Sequence, residues 1–471
     1  MSQLRTGFIA LWKKLRSLVN RLVPAEPQRL LLLTVLSGAL CGLAAVSFHV
    51  GISKVEAHLI NRALAAPFHH WIYWTILTPA VGGLIVGLAL QYWVPGAVGS
   101  GVPQVKVAYA LASGFVPLRD AVGKFVLGII QIGTGSSLGR EGPTVQICAG
   151  ISSALARVAG LSKQSQRRMA AVGVAAGIAA AFNAPIAAVT FTLEEVVGDL
   201  DQTMLSGVIV AAAIAAVVER SVLGQHPVFE IQHPYSMGPP SSLVSYAILG
   251  LLSAFASVAF TDSLLGLRAR FKKFSFVPKW VHPGIGGALT GTLAVAAMLW
   301  LKHDGITGGG YETLSQALTG SLSLKVMVGL CVLKLAATVC SYSSGGAGGI
   351  FAPALFIGGT LGGAVGYLDV VVFRHSADSI GAFALVGMGA VFAGIIRAPM
   401  TSVLIIFEMT GGYGLILPLM IANMSAYGLA RHWRNVPIYE ALLRQDGVVL
   451  PHGKPVTPDE SAPELPGELP P

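Results

Sequence analysis

The chain has 471 residues, of which 54% are hydrophobic and 11% charged, and its formal net charge is +9. Soluble globular proteins carry about 25% charged residues, so this composition excludes an ordinary soluble domain and indicates a protein of the lipid bilayer. The excess of Lys and Arg is then interpreted as a signal of membrane orientation, and no nucleic-acid partner is expected.

The first 27 residues contain the stretch LWKKLRSLVNRLVP, in which basic and apolar residues alternate. No small-residue cleavage site follows, so we predict a basic amphipathic helix on the cytoplasmic face of the membrane rather than a cleaved signal. Arg431 and Arg434 follow the last apolar run. By the positive-inside rule, both termini are expected in the cytoplasm.

The apolar segments that follow are of two kinds. One group approaches the roughly 20 residues that a spanning helix requires: 28–50, 71–93, 203–223, 242–266, 281–301, 323–343 and 414–431. The second group is shorter or interrupted by Gly and Pro: 101–113, 119–138, 141–160, 168–182, 184–197, 349–369, 380–395 and 398–411. Broken helices persist at membrane depth only where protein or a water-filled cavity covers them, so a site between the broken helices is expected.

The sequence also contains an internal repeat. Its matching segments occur in the same order in both halves: 99–101 with 308–310, 124–143 with 334–353, and 170–185 with 384–399. The last match also aligns Glu194 with Glu408. A nearly constant offset between three matches predicts a transporter-like pair of repeats that build one site where they meet.

We therefore divide the chain into six segments. They are an N-terminal helix (1–27), a first transmembrane repeat (28–223), a polar linker (224–241), a second transmembrane repeat (242–432), a C-terminal helix carrying Tyr439 (433–448) and a tail (449–471). The tail is rich in Pro and acidic residues, a composition typical of disordered segments, so we predict that it is disordered.

Glycine-rich breaks with an early proline precede three of the helical segments, as GSGVP (99–103), GREGP (139–143) and GIFAP (349–353). Proline is favoured in the first turn of a helix, so each break is predicted to be a helix N-terminus. Several N-termini directed at one point form an anion site, because each presents free N–H groups and a partial positive charge. The alternative interpretation is that these are packing glycines and kink prolines.

These motifs, with GGIFAP at 348–353 and PIYEALL at 437–443, resemble the anion-site segments of the CLC family of chloride channels and chloride/proton antiporters. The resemblance extends from about residue 28 to residue 445. It implies an all-α polytopic membrane protein, a CLC-type inverted repeat of two halves with many tilted and broken helices. It also implies a bacterial-type homodimer in the cell (inner) membrane, without cofactors and without regulatory cystathionine-beta-synthase-type domains.

The resemblance assigns the anion site residue by residue. Ser100, beside Gly101, resembles the serine whose hydroxyl contacts the central anion, and Tyr439 resembles the tyrosine that contacts it from the other side. Ile350 and Phe351 match the positions whose backbone N–H groups complete the site. Some members of the family that prefer nitrate have a proline here, so the resemblance implies that Ser100 favours chloride. Lys106 is not assigned a role by this pattern; its ammonium could extend to the membrane face or face the cytoplasm.

Glu141 matches the gating glutamate of the family. As a carboxylate at a helix N-terminus it can occupy an anion position itself, and protonation releases it. Arg140, Gly142 and Pro143 are expected to support it, Arg140 by holding nearby backbone. The alternative, an ion pair between Arg140 and Glu141, is disfavoured because adjacent helical residues do not face each other.

Proton coupling depends on Glu195, which matches a second glutamate that the family's antiporters carry toward the cytoplasm. We predict a chloride/proton antiporter, with an uncoupled chloride channel on the same fold as the alternative. Glu195 could instead be an acid at a solvated helix end. Glu194 is expected to have a structural or helper role.

Two other classes are considered. An intramembrane hydrolase could use Ser136 or Ser137 as nucleophile, but nearly all histidines fall in loops or at helix ends. A cation or amino-acid symporter would be expected to present acids or unwound carbonyls near the midplane, whereas the recurrent feature here is the helix N-terminus, which favours anions. The cysteines show no metal-ligand spacing. We expect neither an enzyme nor a metal protein.

Overall fold

The computed structural model of the chain describes residues 25–198, 202–224, 228–229, 235–376 and 379–450. The amphipathic helix predicted for 1–27 and the disordered tail predicted for 449–471 lie outside the described residues, apart from 25–27 and 449–450. Regular structure in the described ranges is helical, with one isolated β-bridge.

The first repeat consists of long helices alternating with short or interrupted ones. In chain order they are α1 (Glu26–His58), α2 (Ile60–Leu64), α3 (His70–Tyr92), α4 (Val102–Leu111), α5 (Leu118–Gly133), α6 (Glu141–Val158), α7 (Lys163–Phe182), α8 (Pro185–Phe191) and α9 (Gln202–Leu223). A π-helical turn, Thr192–Val197, extends α8.

The helices of the second repeat and the C-terminal helix follow in a similar order of long and short, without an α-helix equivalent to α2 in the described residues. They are α10 (Ser242–Lys273), α11 (His282–Trp300), α12 (Tyr311–Leu318), α13 (Leu324–Ser343), α14 (Phe351–Phe373), α15 (Ser379–Ile396), α16 (Pro399–Thr410), α17 (Ile416–Trp433) and the C-terminal α18 (Ile438–Gln445). Helix α12 was not among the predicted segments. Helix α18 is shorter than the predicted 433–448, because α17 continues to Trp433.

The described residues contain nine helical segments long and apolar enough to cross a membrane. They differ widely in burial: 94% of the residues in the apolar stretch of α15 are buried inside the protein, but only 33% of those in the apolar stretch of α9. Helix α7, the repeat equivalent of α15, is likewise buried over 169–182. Both are rich in Ala and Gly, which allow close approach of neighbouring helices inside a membrane protein. The two equivalent helices therefore form the centre of the molecule.

Equivalent glycines of the two repeats pair with each other. The N–H of Gly139 donates to the carbonyl of Gly349 (2.8 Å), and the N–H of Gly349 donates back to Gly139 (2.7 Å), as an antiparallel bridge. Reciprocal bonds between equivalent residues are expected around a local two-fold axis. The two repeats are therefore inverted with respect to each other at this point.

Equivalent glutamates show the same symmetry. The carboxylate of Glu408 accepts the N–H groups of Ile186 (3.0 Å) and Ala187 (2.7 Å) in the first turn of α8. Glu194 accepts the N–H and the hydroxyl of Thr401 (2.8 and 2.6 Å) in the first turn of α16. Each acid thus caps a helix of the opposite repeat, where a negative charge is favourable. This contact is consistent with the structural role, one of the two roles expected for Glu194.

Two buried lysines fix the loops that precede α4 and α12. Lys124 and Lys334 align in the repeat, and each is 0% exposed. Lys124 Nζ donates to the carbonyl of Gly99 (2.7 Å), while Lys334 Nζ donates to the carbonyls of Gly305 (2.9 Å) and Gly308 (2.8 Å). A buried ammonium is costly unless its donors are satisfied, so these loops are held firmly.

Candidate anion site

The three glycine-rich breaks precede helix N-termini, as predicted. Helix α4 begins at Val102, directly after Gly101, whose φ of +100° suits glycine. Helix α6 begins at Glu141 and α14 at Phe351. The first N–H groups of a helix have no intrahelical acceptor and remain available to a ligand or a capping group.

These three N-termini lie against one another. A Cβ atom built on Gly142 would lie 2.4 Å from Ser100 Oγ, and one built on Gly101 would lie 2.6 Å from the carbonyl oxygen of Gly142. A Cβ on Gly349 would lie 3.1 Å from the backbone nitrogen of Gly142. The glycines therefore permit the close approach of the three breaks, and Ser100 comes to lie beside the start of α6.

Tyr439 reaches the same region from α18. Its side chain is 0% exposed, and its ring centroid lies 6.4 Å from that of Phe351. Tyr439 Oη lies near Ser100 Oγ, and in the described part of the chain neither hydroxyl makes a hydrogen bond of normal geometry, although both are buried. Buried hydroxyls are nearly always paired, so two unpaired ones in one region indicate that they serve a ligand.

The end of α18 is held by basic residues of α10. Arg268 Nη2 lies 2.9 Å and Lys272 Nζ 2.6 Å from Asp446 Oδ1. These side chains also line a cavity of about 720 Å³ that reaches Gly99 and Pro103, beside the candidate site. Its further lining includes Lys279 and Tyr342. The cationic rim favours anions in this cavity.

Glu141 is fully buried at the first position of α6. Its Oε2 accepts the N–H of Ala352 in the first turn of α14 (3.3 Å), and its Oε1 accepts the hydroxyl of Tyr311 (2.5 Å). A Cβ built on Gly139 would lie 2.3 Å from Oε2, so this position also requires a small residue. The carboxylate therefore occupies the N-terminus of α14, where an anion is favourable.

Arg140 does not form the alternative ion pair with Glu141 among the salt bridges of the described residues. Its guanidinium donates to the carbonyl of Ala181 (3.4 Å) and lies 5.6 Å from the ring centroid of Tyr311. Arg140 thus contacts neighbouring backbone. Pro143 lies in the first turn of α6, where no N–H is needed.

Lys106 and Glu195 form a buried ion pair. Lys106 Nζ lies 2.7 Å from Glu195 Oε1, and the two residues are only 9% and 7% exposed. Lys106 therefore does not extend to the membrane face, because its ammonium finds a counter-ion inside the protein. Glu195 is likewise not an acid at a solvated helix end. Lys106 lies about 7 Å along α4 from Gly101, given the rise of the α-helix.

Two residues of this region are not predicted from the sequence. No local pattern pairs Lys106 with Glu195, and no motif marks Tyr311 as part of the site. The available signal for Tyr311 was the repeat itself, since Tyr311 directly follows Gly308–Gly310, the segment matched with Gly99–Gly101.

The residues proposed for a hydrolase have other partners. Ser136 Oγ accepts the side-chain N–H of Gln131 (2.8 Å), and Ser137 Oγ lies 3.0 Å from the hydroxyl of Thr338. Neither contact supplies the base that a serine nucleophile requires.

Inverted repeats, broken helices and converging N-termini define the chain as a polytopic membrane transport protein. A sequence profile described as voltage gated chloride channel matches residues 82–431. The chain belongs to this family, as the CLC motifs predicted.

Curated relatives cover nearly the whole chain. The H(+)/Cl(-) exchange transporter ClcA of Salmonella arizonae is 31% identical over 435 residues, or 90% of this chain and 91% of the relative. The ClcA of Salmonella typhimurium is 31% identical over 437 residues, with 91% of each chain covered. These relatives are transporters and not enzymes.

Solved structures agree with the fold. A slow cyanobacterial Cl-/H+ antiporter is similar with a TM-score of 0.81 and 25% identity, covering 89% of this chain and 98% of the other. A CLC-type fluoride/proton antiporter, 23% identical, has a TM-score of 0.72 and covers 88% and 97% of the two chains. The all-α polytopic fold predicted from the sequence is thereby confirmed.

The contact between Gly142 and Ser100 gives a first testable prediction. We expect Gly142→Ala to lower the stability by about 1–3 kcal/mol, because a methyl group must be forced into an occupied space. It should also weaken chloride binding, because Ser100 must move. Thermal unfolding in detergent and calorimetric titration with chloride measure the two effects.

The control for this variant is Gly266→Ala in α10, where an added Cβ would meet nothing within 4 Å. It should leave stability and chloride binding unchanged or slightly improve stability, since Ala is the better helix former. A Gly142→Ala protein that behaves like Gly266→Ala would contradict the close contact.

Proposed function

We propose that the protein exchanges chloride for protons across the membrane, with Glu141 as the gating and proton-coupling carboxylate. The observation that carries this proposal is the position of the Glu141 carboxylate, which accepts the Ala352 N–H at the start of α14. A side chain bound where an anion is favourable competes with a free anion for the same donors.

The anion site consists of neutral donors. Ser100 and Tyr439 supply hydroxyls, and the backbone N–H groups of Ile350 and Phe351 supply the positive end of α14, with Gly101 allowing α4 to approach. Neutral donors and partial charges bind chloride without holding it as strongly as a lysine would, which suits turnover. The two buried, unpaired hydroxyls support this assignment.

Protonation couples the two ions. An ionised Glu141 remains at the N-terminus of α14 and excludes chloride, whereas the neutral acid loses most of this attraction and leaves the position free. Chloride then enters, and the return of the carboxylate requires loss of both the proton and the anion. Competition for one position thus links proton movement to chloride movement.

Glu195 is the proposed proton acceptor on the cytoplasmic side of the anion site. It is a buried acid paired with Lys106, which lies about a turn and a half along α4 from Gly101. Ionisable residues at membrane depth usually serve transport. The names of the curated relatives, which are H(+)/Cl(-) exchangers, support coupling.

A second candidate function is an uncoupled chloride channel. One observation favours it: the carboxylate of Glu195 is held in an ion pair with Lys106, 2.7 Å away, and this pair must be broken or rearranged for Glu195 to exchange protons. The two functions share the chloride site and the Glu141 gate.

The remaining assignments also belong to the proposal. We expect a homodimer in the cell (inner) membrane, with both termini cytoplasmic and with chloride, protons and lipid as its partners. Exposed apolar side chains on α9 and α17, among them Val217 and Met420, suit contact with lipid or a second copy.

The experiment that tests the function uses proteoliposomes with a chloride gradient and no pH gradient. Coupled exchange should move protons against their own gradient, detected by a pH electrode outside, and a protonophore should collapse the proton accumulation. Chloride flux without proton movement would reject the antiporter and leave the channel.

A further inference from the structure

The hydroxyl of Tyr311 contacts one carboxylate oxygen of Glu141, and the start of α14 contacts the other. It donates to Glu141 Oε1 at 2.5 Å, while the N–H of Ala352 donates to Oε2 at 3.3 Å. Both oxygens of the carboxylate are therefore bound by donors from the second repeat. Tyr311 is the first residue of α12, and the phenol is its only polar side-chain group.

The ring of Tyr311 is held from several sides. The preceding loop is tied by Lys334, which donates to the carbonyl of Gly308 (2.8 Å). A Cβ built on Gly309 would lie 2.9 Å from the ring, so this glycine provides the space for it. The ring centroid lies 6.0 Å from that of Phe229 and 5.6 Å from the guanidinium of Arg140. The hydroxyl is thus prepositioned and needs no rearrangement to reach Glu141.

Tyr311 and Arg140 also line a small cavity of about 50 Å³. Its titratable lining residues on α1 are His49 and Glu56. The charged and titratable groups around the gate in the described chain include these two residues, Arg140, Tyr311 itself and Tyr439 on the anion side. Two further buried charges interact with them, Lys334 with Glu56 and Glu219 with Arg140. Among the described residues, Tyr311 is the only one whose side chain is hydrogen-bonded to the carboxylate of Glu141.

We propose that Tyr311 is a positioning residue that holds the ionised Glu141 in the anion position and thereby sets the rate and the pH at which the gate opens. The inference rests on the proposed gating role of Glu141. A hydrogen bond to an ionised acceptor is stronger than one to a neutral acceptor. The phenol therefore stabilises the ionised, seated carboxylate more than the protonated one, and a group that favours one of two states shifts their populations.

The test removes one oxygen atom. In Tyr311→Phe proteoliposomes, chloride flux near neutral pH should rise about tenfold, since a hydrogen bond to a charged group contributes on this scale. The pH profile of the flux should move to higher pH, because protonation then has less hydrogen bonding to overcome. Chloride binding measured by calorimetry should strengthen, because the competing carboxylate is held less firmly.

Two controls separate positioning of the gate from a general effect on packing. In the Glu141→Gln background, which lacks the ionised acceptor, Tyr311→Phe should change neither flux nor affinity. Tyr109→Phe removes another buried hydroxyl, which contacts the sulfur of Met204 at 3.5 Å, and should leave the pH profile unchanged.

The proposal is overturned if Tyr311→Phe has the flux, pH profile and chloride affinity of the unmodified protein, or if it changes them equally in the Glu141→Gln background. A failure of proton coupling does not affect this test, because chloride flux and its pH profile are measured in an uncoupled channel as well. Conversely, suppose that the unmodified protein moves protons and the pH profile of Tyr311→Phe is unchanged. The positioning role of Tyr311 would then be rejected, and the proposed exchange of chloride for protons would stand.

Discussion

Replacing Glu141 by glutamine should abolish proton movement while chloride flux continues. The amide stays neutral at every pH, so it neither carries a proton nor competes as an anion for the N–H of Ala352. Chloride flux in Glu141→Gln should also lose its pH dependence. Proteoliposomes under a chloride gradient, with proton and chloride electrodes in the same chamber, measure both ions at once.

Glu408→Gln is the matched control, because it replaces another acid that also binds backbone N–H groups at a helix start. It should keep proton coupling while losing about 0.5–2 kcal/mol of stability, as expected for a weakened cap. If Glu141→Gln still moves protons against their gradient, the gating assignment is wrong.

The second large effect is expected at Glu195. Glu195→Gln should abolish proton transport and preserve chloride flux, because the amide cannot accept a proton on the inner side of the anion site. The same change leaves the ammonium of Lys106 buried without its counter-ion. We therefore expect a loss of about 3–5 kcal/mol in stability, the usual result of removing one partner of a buried ion pair.

The double variant Lys106→Met with Glu195→Gln separates the two consequences. It removes both charges and replaces the lysine by an apolar side chain of similar length, so most of the stability should return. Proton transport should remain absent. Recovery of proton coupling in the double variant would mean that Glu195 serves only to neutralise Lys106. Thermal unfolding and the ion-flux assay distinguish these results.

Much of the fold was predictable because apolar length and glycine breaks are local signals. The segment 141–160 corresponds to α6, and 380–395 corresponds to α15. Helix α12 was missed because YETLSQAL is short and polar, so it lacks the apolar run by which the other segments were found. Its first residue, Tyr311, was lost with it.

The long-range contacts of the site could not be predicted in the same way. Lys106 and Glu195 are separated by 89 positions, and no local pattern pairs them. The repeat alignment placed Glu194 on Glu408 but did not reveal that each caps a helix of the other half. Such contacts depend on how the two repeats are packed, which neither hydrophobic periodicity nor motif spacing encodes.

The bridge between Gly139 and Gly349 limits how the proposed gate, Glu141, can move. These residues lie immediately before the helices that carry Glu141 and Phe351, and two backbone hydrogen bonds join them. Separating the two helix starts would break both bonds in a water-poor interior, where unpaired backbone groups are costly. We therefore expect this pair of helix ends to behave as a rigid frame throughout the transport cycle, so that opening at this level is a rotation of one carboxylate side chain.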